Sequence, residues 1–294
     1  MPESNAAVWV ASDFSSASDE AVRQADAWAT RIGRPLVACH VLPELLRVNP
    51  LFPERAQAQQ ESLDALREHV LAKLERQVLT VTRRQPGEFQ TVVEVGQAPS
   101  ALVRLAEREA MHLLVIGAEA GHGLGSTARR VMHYAPVSVL VARPVAHPGH
   151  VLAATDLSDP AVPAVEAGVL EARVRGARLT VLHCLEMPVP PLVDTAMGFP
   201  AWASYTEREL QGWRESGRQR LEAMVAGHAG VMDLRCELGE ASQVILETAV
   251  AERSELVVVG SHGHSGIRRV LLGSVAERVV EEVQAPVLVV RLKG

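Results

Sequence analysis

The sequence predicts an α/β protein built as two tandem doubly wound sheets, each with five parallel strands in the order 3-2-1-4-5, related by internal duplication. Three observations predict this. First, the chain repeats itself: Val8-Trp-Val-Ala-Ser-Asp13 matches Val151-Leu-Ala-Ala-Thr-Asp156 at an offset of 143 residues, and His40 with His183, Gly96 with Gly239 and Gly117 with Gly260 keep that offset. Second, within each copy short apolar runs alternate with helix-period segments, the pattern of β-α-β units covered on both faces. Third, at 294 residues the chain has room for two separate cores. Beyond the fourth strand the offset becomes 148, linking Gly125-Ser126 to Gly273-Ser274 and Arg143 to Arg291, so the first copy is five residues shorter in a single loop.

Strands 1, 2 and 4 are expected at Val8 to Ser12, Leu36 to His40 and His112 to Ile116, and again at Val151 to Thr155, Leu179 to His183 and Leu256 to Val259. Their nearly unbroken apolar character suits central strands buried on both faces. In strand 3 of the second copy Met232, Leu234, Cys236 and Leu238 alternate with Asp233, Arg235 and Glu237, the mark of a half-exposed edge. Between strands 2 and 3, Leu63, Leu66, Val70 and Leu74, and likewise Leu210, Trp213, Leu221 and Met224, follow helical spacing and predict a long crossing helix. The last strands, Val137 to Ala142 and Val287 to Val290, are apolar although the topology puts them at an edge. Bare apolar edges invite pairing, so these strands are expected to be covered by each other or by a second chain in a homodimer. Two prolines and a glycine in Arg143 to His150 mark the linker, which gives domains 1-144 and 149-294.

Composition narrows the function classes. Apolar residues make up 48% and charged residues 22%, as in a folded globular protein. The formal charge of −6 provides no basic excess, so neither nucleic acid nor an anionic membrane surface is expected as the main partner. No segment reads as a secretory signal or a bilayer span. Cys39, Cys184 and Cys236 lack the close pairing of zinc or redox motifs, no metal site is suggested, and the expected location is cytoplasmic.

The chemistry concentrates after strand 4 of the second copy. Gly260-Ser-His-Gly263 is followed by nine residues and then by Gly273-Ser274, which opens a helical segment. Glycines let backbone amides approach a phosphate, and a helix start adds N–H donors and the favourable end of the dipole. His262, His264, Arg268 and Arg269 add donors and positive charge, and no acidic residue lies between Gly260 and Ser274. In open α/β sheets ligands bind where the strand order reverses, here between strands 1 and 4.

Together with Asp156 at the end of strand 1 and Leu-His183-Cys184 at the end of strand 2, this spacing resembles the ATP-binding universal stress proteins, and it does so over almost the whole chain twice. The resemblance implies that Gly260, Gly263, Gly273 and Ser274 contact the phosphates of ATP, that Asp156 lies at the ribose and adenine end, and that Cys184 backbone groups read the adenine edge. It also implies dimers, often formed through the last strand. The residues do not say whether Mg²⁺ accompanies the phosphates.

In the first copy the corresponding positions are Asp13, Val41, Gly117, Gly125 and Ser126. Its loop lacks the second glycine at its expected place, is five residues short and brings in Glu119, a carboxylate that would repel phosphates. This copy is expected to bind triphosphate weakly or not at all. His40 and His183 read as packed, hydrogen-bonded histidines, the three cysteines as core residues, and Asp156 equally as a turn-former or a ligand contact. No Gly-Lys-Ser/Thr phosphate loop is present, so motor and switch nucleotidases are excluded. The expected function is ATP-dependent regulation in a stress response with at most slow hydrolysis. The alternatives are a nucleotide α-hydrolase enzyme and a dimeric scaffold without nucleotide.

Overall fold

The computed structural model describes residues 6–44, 54–119, 123–186, 205–228, 230, 232–261 and 272–292, with only the backbone described over 54–60. By its internal contacts the chain divides into two compact units, Met1–Pro144 and Val145–Gly294. The first runs β1 (Ala7–Ala11), α1 (Ser16–Ile32), β2 (Leu36–Leu42), α2 (Glu54–Val81), β3 (Gln90–Val95), α3 (Ala98–Arg108), β4 (Met111–Gly117), α4 (Ser126–Tyr134) and β5 (Val139–Ala142). The second runs β6 (His150–Thr155), α5 (Val162–Arg175), β7 (Arg178–Leu185), α6 (Glu207–Val225), β8 (Met232–Leu238), α7 (Ala241–Ala251), β9 (Leu256–Gly260), α8 (Ser274–Glu282) and β10 (Val287–Val290).

Within each unit every strand pair is parallel. The order is β3-β2-β1-β4-β5 in the first and β8-β7-β6-β9-β10 in the second, which is 3-2-1-4-5 in both. Register repeats as well: Val10 stands opposite Ala38 and Val115, and its counterpart Ala153 stands opposite Val181 and Val258. The central strands are the cores, with Val8, Val10, Leu114, Val151, Leu152, Val257 and Val258 fully buried. Each such side chain contributes roughly 1.5 to 3 kcal/mol relative to exposure. β8 is partly exposed along its length, as its alternating polarity requires of an edge strand.

The crossing helices bury a shorter stripe than their periodicity suggests. On α2, Val70, Leu74 and Val78 are buried, Leu63 is half-buried and Leu66 is exposed, so among the described side chains the stripe is fully buried in the second half of the helix. α1 and α5 both stop at a glycine in the left-handed region, Gly33 and Gly176, each at φ 63°. A residue without Cβ adopts that conformation at little cost, and its N–H satisfies the terminal carbonyls of the helix. Their starts differ: α1 begins directly at Ser16, while α5 is preceded by a 3₁₀ turn over Asp159–Ala161. Pro163 has no N–H with which to close an α-type bond to Asp159, so the Val162 N–H bonds the Asp159 carbonyl in its place.

Candidate functional site

In each unit the strand order reverses between the first and fourth strands, β1 and β4 or β6 and β9, and a cavity opens past their carboxyl ends. The cavity of the second unit has a volume of about 580 Å³ and that of the first about 610 Å³. Both lie within the range of roughly 300 to 1,000 Å³ typical of small-molecule sites. Asp156, Cys184, Gly260, Gly273 and Ser274 all line the second cavity. Asp13, Val41, Gly117, Gly125 and Ser126 all line the first. His262, Gly263 and Arg268 lie outside the described residues, as do His264 and Arg269.

One wall is a turn built identically in both units. The hydroxyl at the strand end, Ser12 or Thr155, accepts the N–H of Phe14 or Leu157 at 3.0 Å in each case. Those two residues take φ of 65° and 64°, a left-handed conformation that costs a side chain roughly 1 to 2 kcal/mol and that the flanking hydrogen bonds hold in place. The following carboxylate accepts both the backbone N–H and the hydroxyl of the next serine: Asp13 from Ser15 at 3.0 and 2.5 Å, and Asp156 from Ser158 at 3.0 and 2.6 Å. Asp156 therefore does form the turn, through one oxygen, while also lining the cavity. For Asp13, burial pushes the carboxyl up, but the donors Ser15 and Ser18 outweigh it and hold it below the usual carboxylate value.

Behind this turn, His40 and His183 donate from Nδ1 to the carbonyls of Ser12 and Thr155, at 2.7 and 3.0 Å. Each ring is thus fixed in orientation. The cysteine thiols are inert: burial pushes Cys39 and Cys184 up to about 12, and it also raises Cys236.

The opposite wall carries the anion-binding potential. Gly273 is the N-cap of α8, and the first internal bond of the helix runs from the Glu277 N–H to the Gly273 carbonyl at 2.9 Å. The N–H groups of Ser274, Val275 and Ala276 take no hydrogen bond among the described residues, and all three residues line the cavity. The Gly273 amide itself is already bonded to the Ser261 carbonyl at 2.9 Å, so at this helix start only the following amides are left without a partner among the described residues. Three open donors at the positive end of a helix dipole suit phosphate oxygens. The first unit has the same helix start, with Ser126, Thr127 and Ala128 lining its cavity, but Glu119 lines it too. Gly117 allows the first turn of α1 to approach β4: a Cβ there would lie 2.3 Å from the Ala17 carbonyl oxygen.

Two charged residues of the second cavity escape a reading by motif: Arg220 lies on α6, away from the glycine loop and the strand ends, and Glu186 directly follows β7. The signal available for Arg220 is the 143-residue offset, which pairs it with Gln77.

The Universal stress protein family profile matches residues 6–143 and again residues 148–291. The chain belongs to the universal stress protein family. It is 29% identical over 302 residues to a universal stress protein of Mycolicibacterium smegmatis, a match that covers 97% of this chain and 96% of that protein. A universal stress protein of Thermus aquaticus is 34% identical over 141 residues, covering 48% of this chain and 97% of its own length. Among solved structures, a universal stress protein from Archaeoglobus fulgidus superposes with a TM-score of 0.65 at 16% identity, covering 96% of this chain and 97% of that one. The tandem α/β architecture is therefore that of universal stress proteins. No helix among the described residues is long and apolar enough to cross a membrane.

Proposed function

We propose that this universal stress protein is an ATP-binding regulatory protein whose nucleotide is held by the second unit. The observation that carries the reading is the junction of two different walls at one topological switch point. The fixed turn at Asp156 stands on one side and the open N-terminus of α8 on the other, across a cavity of suitable volume. The buried faces of Leu182 and Ile245 offer an apolar seat for a base. Ser274, Val275 and Ala276 offer donors to phosphates, and Asp156 offers an acceptor to a ribose hydroxyl. Gly260, Gly263, His262 and Arg268 complete the phosphate loop in this reading, with Mg²⁺ as an optional companion of the phosphates.

Occupancy would change the surface offered to a partner in the cytoplasm. The first unit keeps the base-side turn but brings Glu119 to the phosphate side, so its affinity for triphosphate is weak or nil. β5 and β10 each have one partner strand within their own unit, β4 and β9, and in this reading their apolar outer edges are covered by each other or by a second chain in a homodimer. A monomer at all concentrations in sedimentation equilibrium contradicts the homodimer.

The nucleotide retained by the purified chain, released by denaturation and identified by mass, tests the binding reading. ATP is expected, and Gly263→Asp, which sets a carboxylate in the glycine loop, is expected to abolish its retention. A chain that neither retains nor binds adenine nucleotide, or a Gly263→Asp variant that retains it equally, overturns the reading. Sustained release of AMP or pyrophosphate would make the protein an enzyme of the α-phosphate.

A further inference from the structure

The second cavity holds one cation among its described lining residues, Arg220, which extends from α6. The repeat offset equates it with Gln77 of α2, and the two side chains have opposite fates. Gln77 is fully engaged against α1: its Oε1 accepts the Ser12 hydroxyl at 2.6 Å, and its Nε2 donates to Asp19 at 2.6 Å and to Ser18 at 3.3 Å. It is absent from the lining of its own cavity.

The second unit has no such docking site. The positions equivalent to Ser18 and Asp19 are Ala161 and Val162, which carry no side-chain acceptor, and the hydroxyl of Thr155, equivalent to Ser12, turns to the Met224 sulfur at 3.7 Å. Among the described residues nothing bonds Arg220, which stays on the exposed face of its helix with its side chain at the cavity. A guanidinium keeps its charge at any physiological pH and presents a planar fork of donors matched to phosphate oxygens.

We propose that Arg220 reads the anionic part of the ligand of the second unit. Its guanidinium pairs with a phosphate oxygen, and the exchange to Gln77, together with the polar anchor that holds Gln77 away, removes this contact from the first unit. The inference rests on the nucleotide reading above and adds a residue from outside the glycine loop to it. Arg220 makes the site prefer phosphorylated nucleotides over the parent nucleoside.

Calorimetric titration of the full chain with ATP, AMP and adenosine tests this, using Arg220→Gln, which installs the residue of the first unit, and Arg220→Lys. Because Arg220 holds nothing together among the described residues, both variants should show unchanged circular dichroism. Arg220→Gln is expected to weaken ATP about 10-fold or more while adenosine stays within about twofold, with Arg220→Lys in between. ATP bound equally by the unaltered chain and Arg220→Gln overturns the role of Arg220 and leaves the nucleotide reading standing. Equal losses for ATP and adenosine reduce Arg220 to a wall of the pocket. An unaltered chain that binds no ATP overturns the nucleotide reading itself, and this inference with it.

Discussion

The two cavities of this universal stress protein share one wall and differ in the other. The turn after the first strand is copied down to its hydrogen bonds and its left-handed residue, in Ser12-Asp13-Phe14-Ser15 and Thr155-Asp156-Leu157-Ser158. The opposite wall has diverged: the first unit has a loop five residues shorter, a carboxylate at Glu119 and an anchored glutamine where the second unit has Arg220. The turn forms part of the framework, since it carries the polypeptide from the central strand into the first helix and fixes the histidine behind it, so changing it would disturb the fold. Length and charge in the sequence after the fourth strand vary at little cost to stability, since connecting segments tolerate such changes.

The largest effect expected from breaking this comparison comes from Gly117. Gly117→Ala would set a methyl group 2.3 Å from the backbone carbonyl of Ala17, a contact that no side-chain rotation relieves. The expected loss is about 2 to 3 kcal/mol in the first unit. Hydrogen exchange read by mass spectrometry should show opening of peptides from α1 and β4 with the second unit unchanged. Unchanged protection across the first unit would refute the close approach.

A smaller, pH-dependent difference distinguishes the same two units. His150 of β6 is buried between the hydroxyls of Ser254 and Thr180, each at 2.9 Å from a ring nitrogen, where the first unit has Ala7, Met111 and Val37. Burial is the main cause that lowers its pKa from 6.5. Arg178 and Arg235 add to this, while Glu252 and Asp233 oppose it. A lowered value means that the unfolded chain binds the proton first. The stability contributed by His150 is therefore complete above pH 6.5 and is lost as pH falls below that value toward the folded pKa. Urea unfolding between pH 7.5 and pH 5 should show this slope in peptides of β6 and β7, and His150→Gln should flatten it. A slope of equal size in β1 and β2 would assign it to other groups.

Much of the fold was legible because the duplication supplied two readings of each element, and apolar runs with a period of two or 3.6 marked the same strands and helices twice. The stripe on α2 misled at Leu66, since periodicity reports which residues share a face and not how far along the helix the core extends. Strand β5 begins at Val139, two residues later than the apolar run suggests, because Val137 and Ser138 belong to the turn before it. Of the cavity lining, Gly260, Gly273, the strand-end aspartates and Cys184 near the end of the second strand were legible, since such residues have fixed places in this topology. Arg220 was not, because on sequence it is one charge among many on a polar helix. What distinguishes it is what the facing helix lacks, namely the acceptors that hold Gln77. His150 was equally hidden, because its partners come from elsewhere in the chain, Thr180 from β7 and Ser254 from the loop before β9.

Calorimetric titration of the intact chain with ATP decides whether the second unit alone offers phosphates a working grip. One site per chain is expected, filled without a second transition of similar affinity. Two equivalent sites per chain would contradict it.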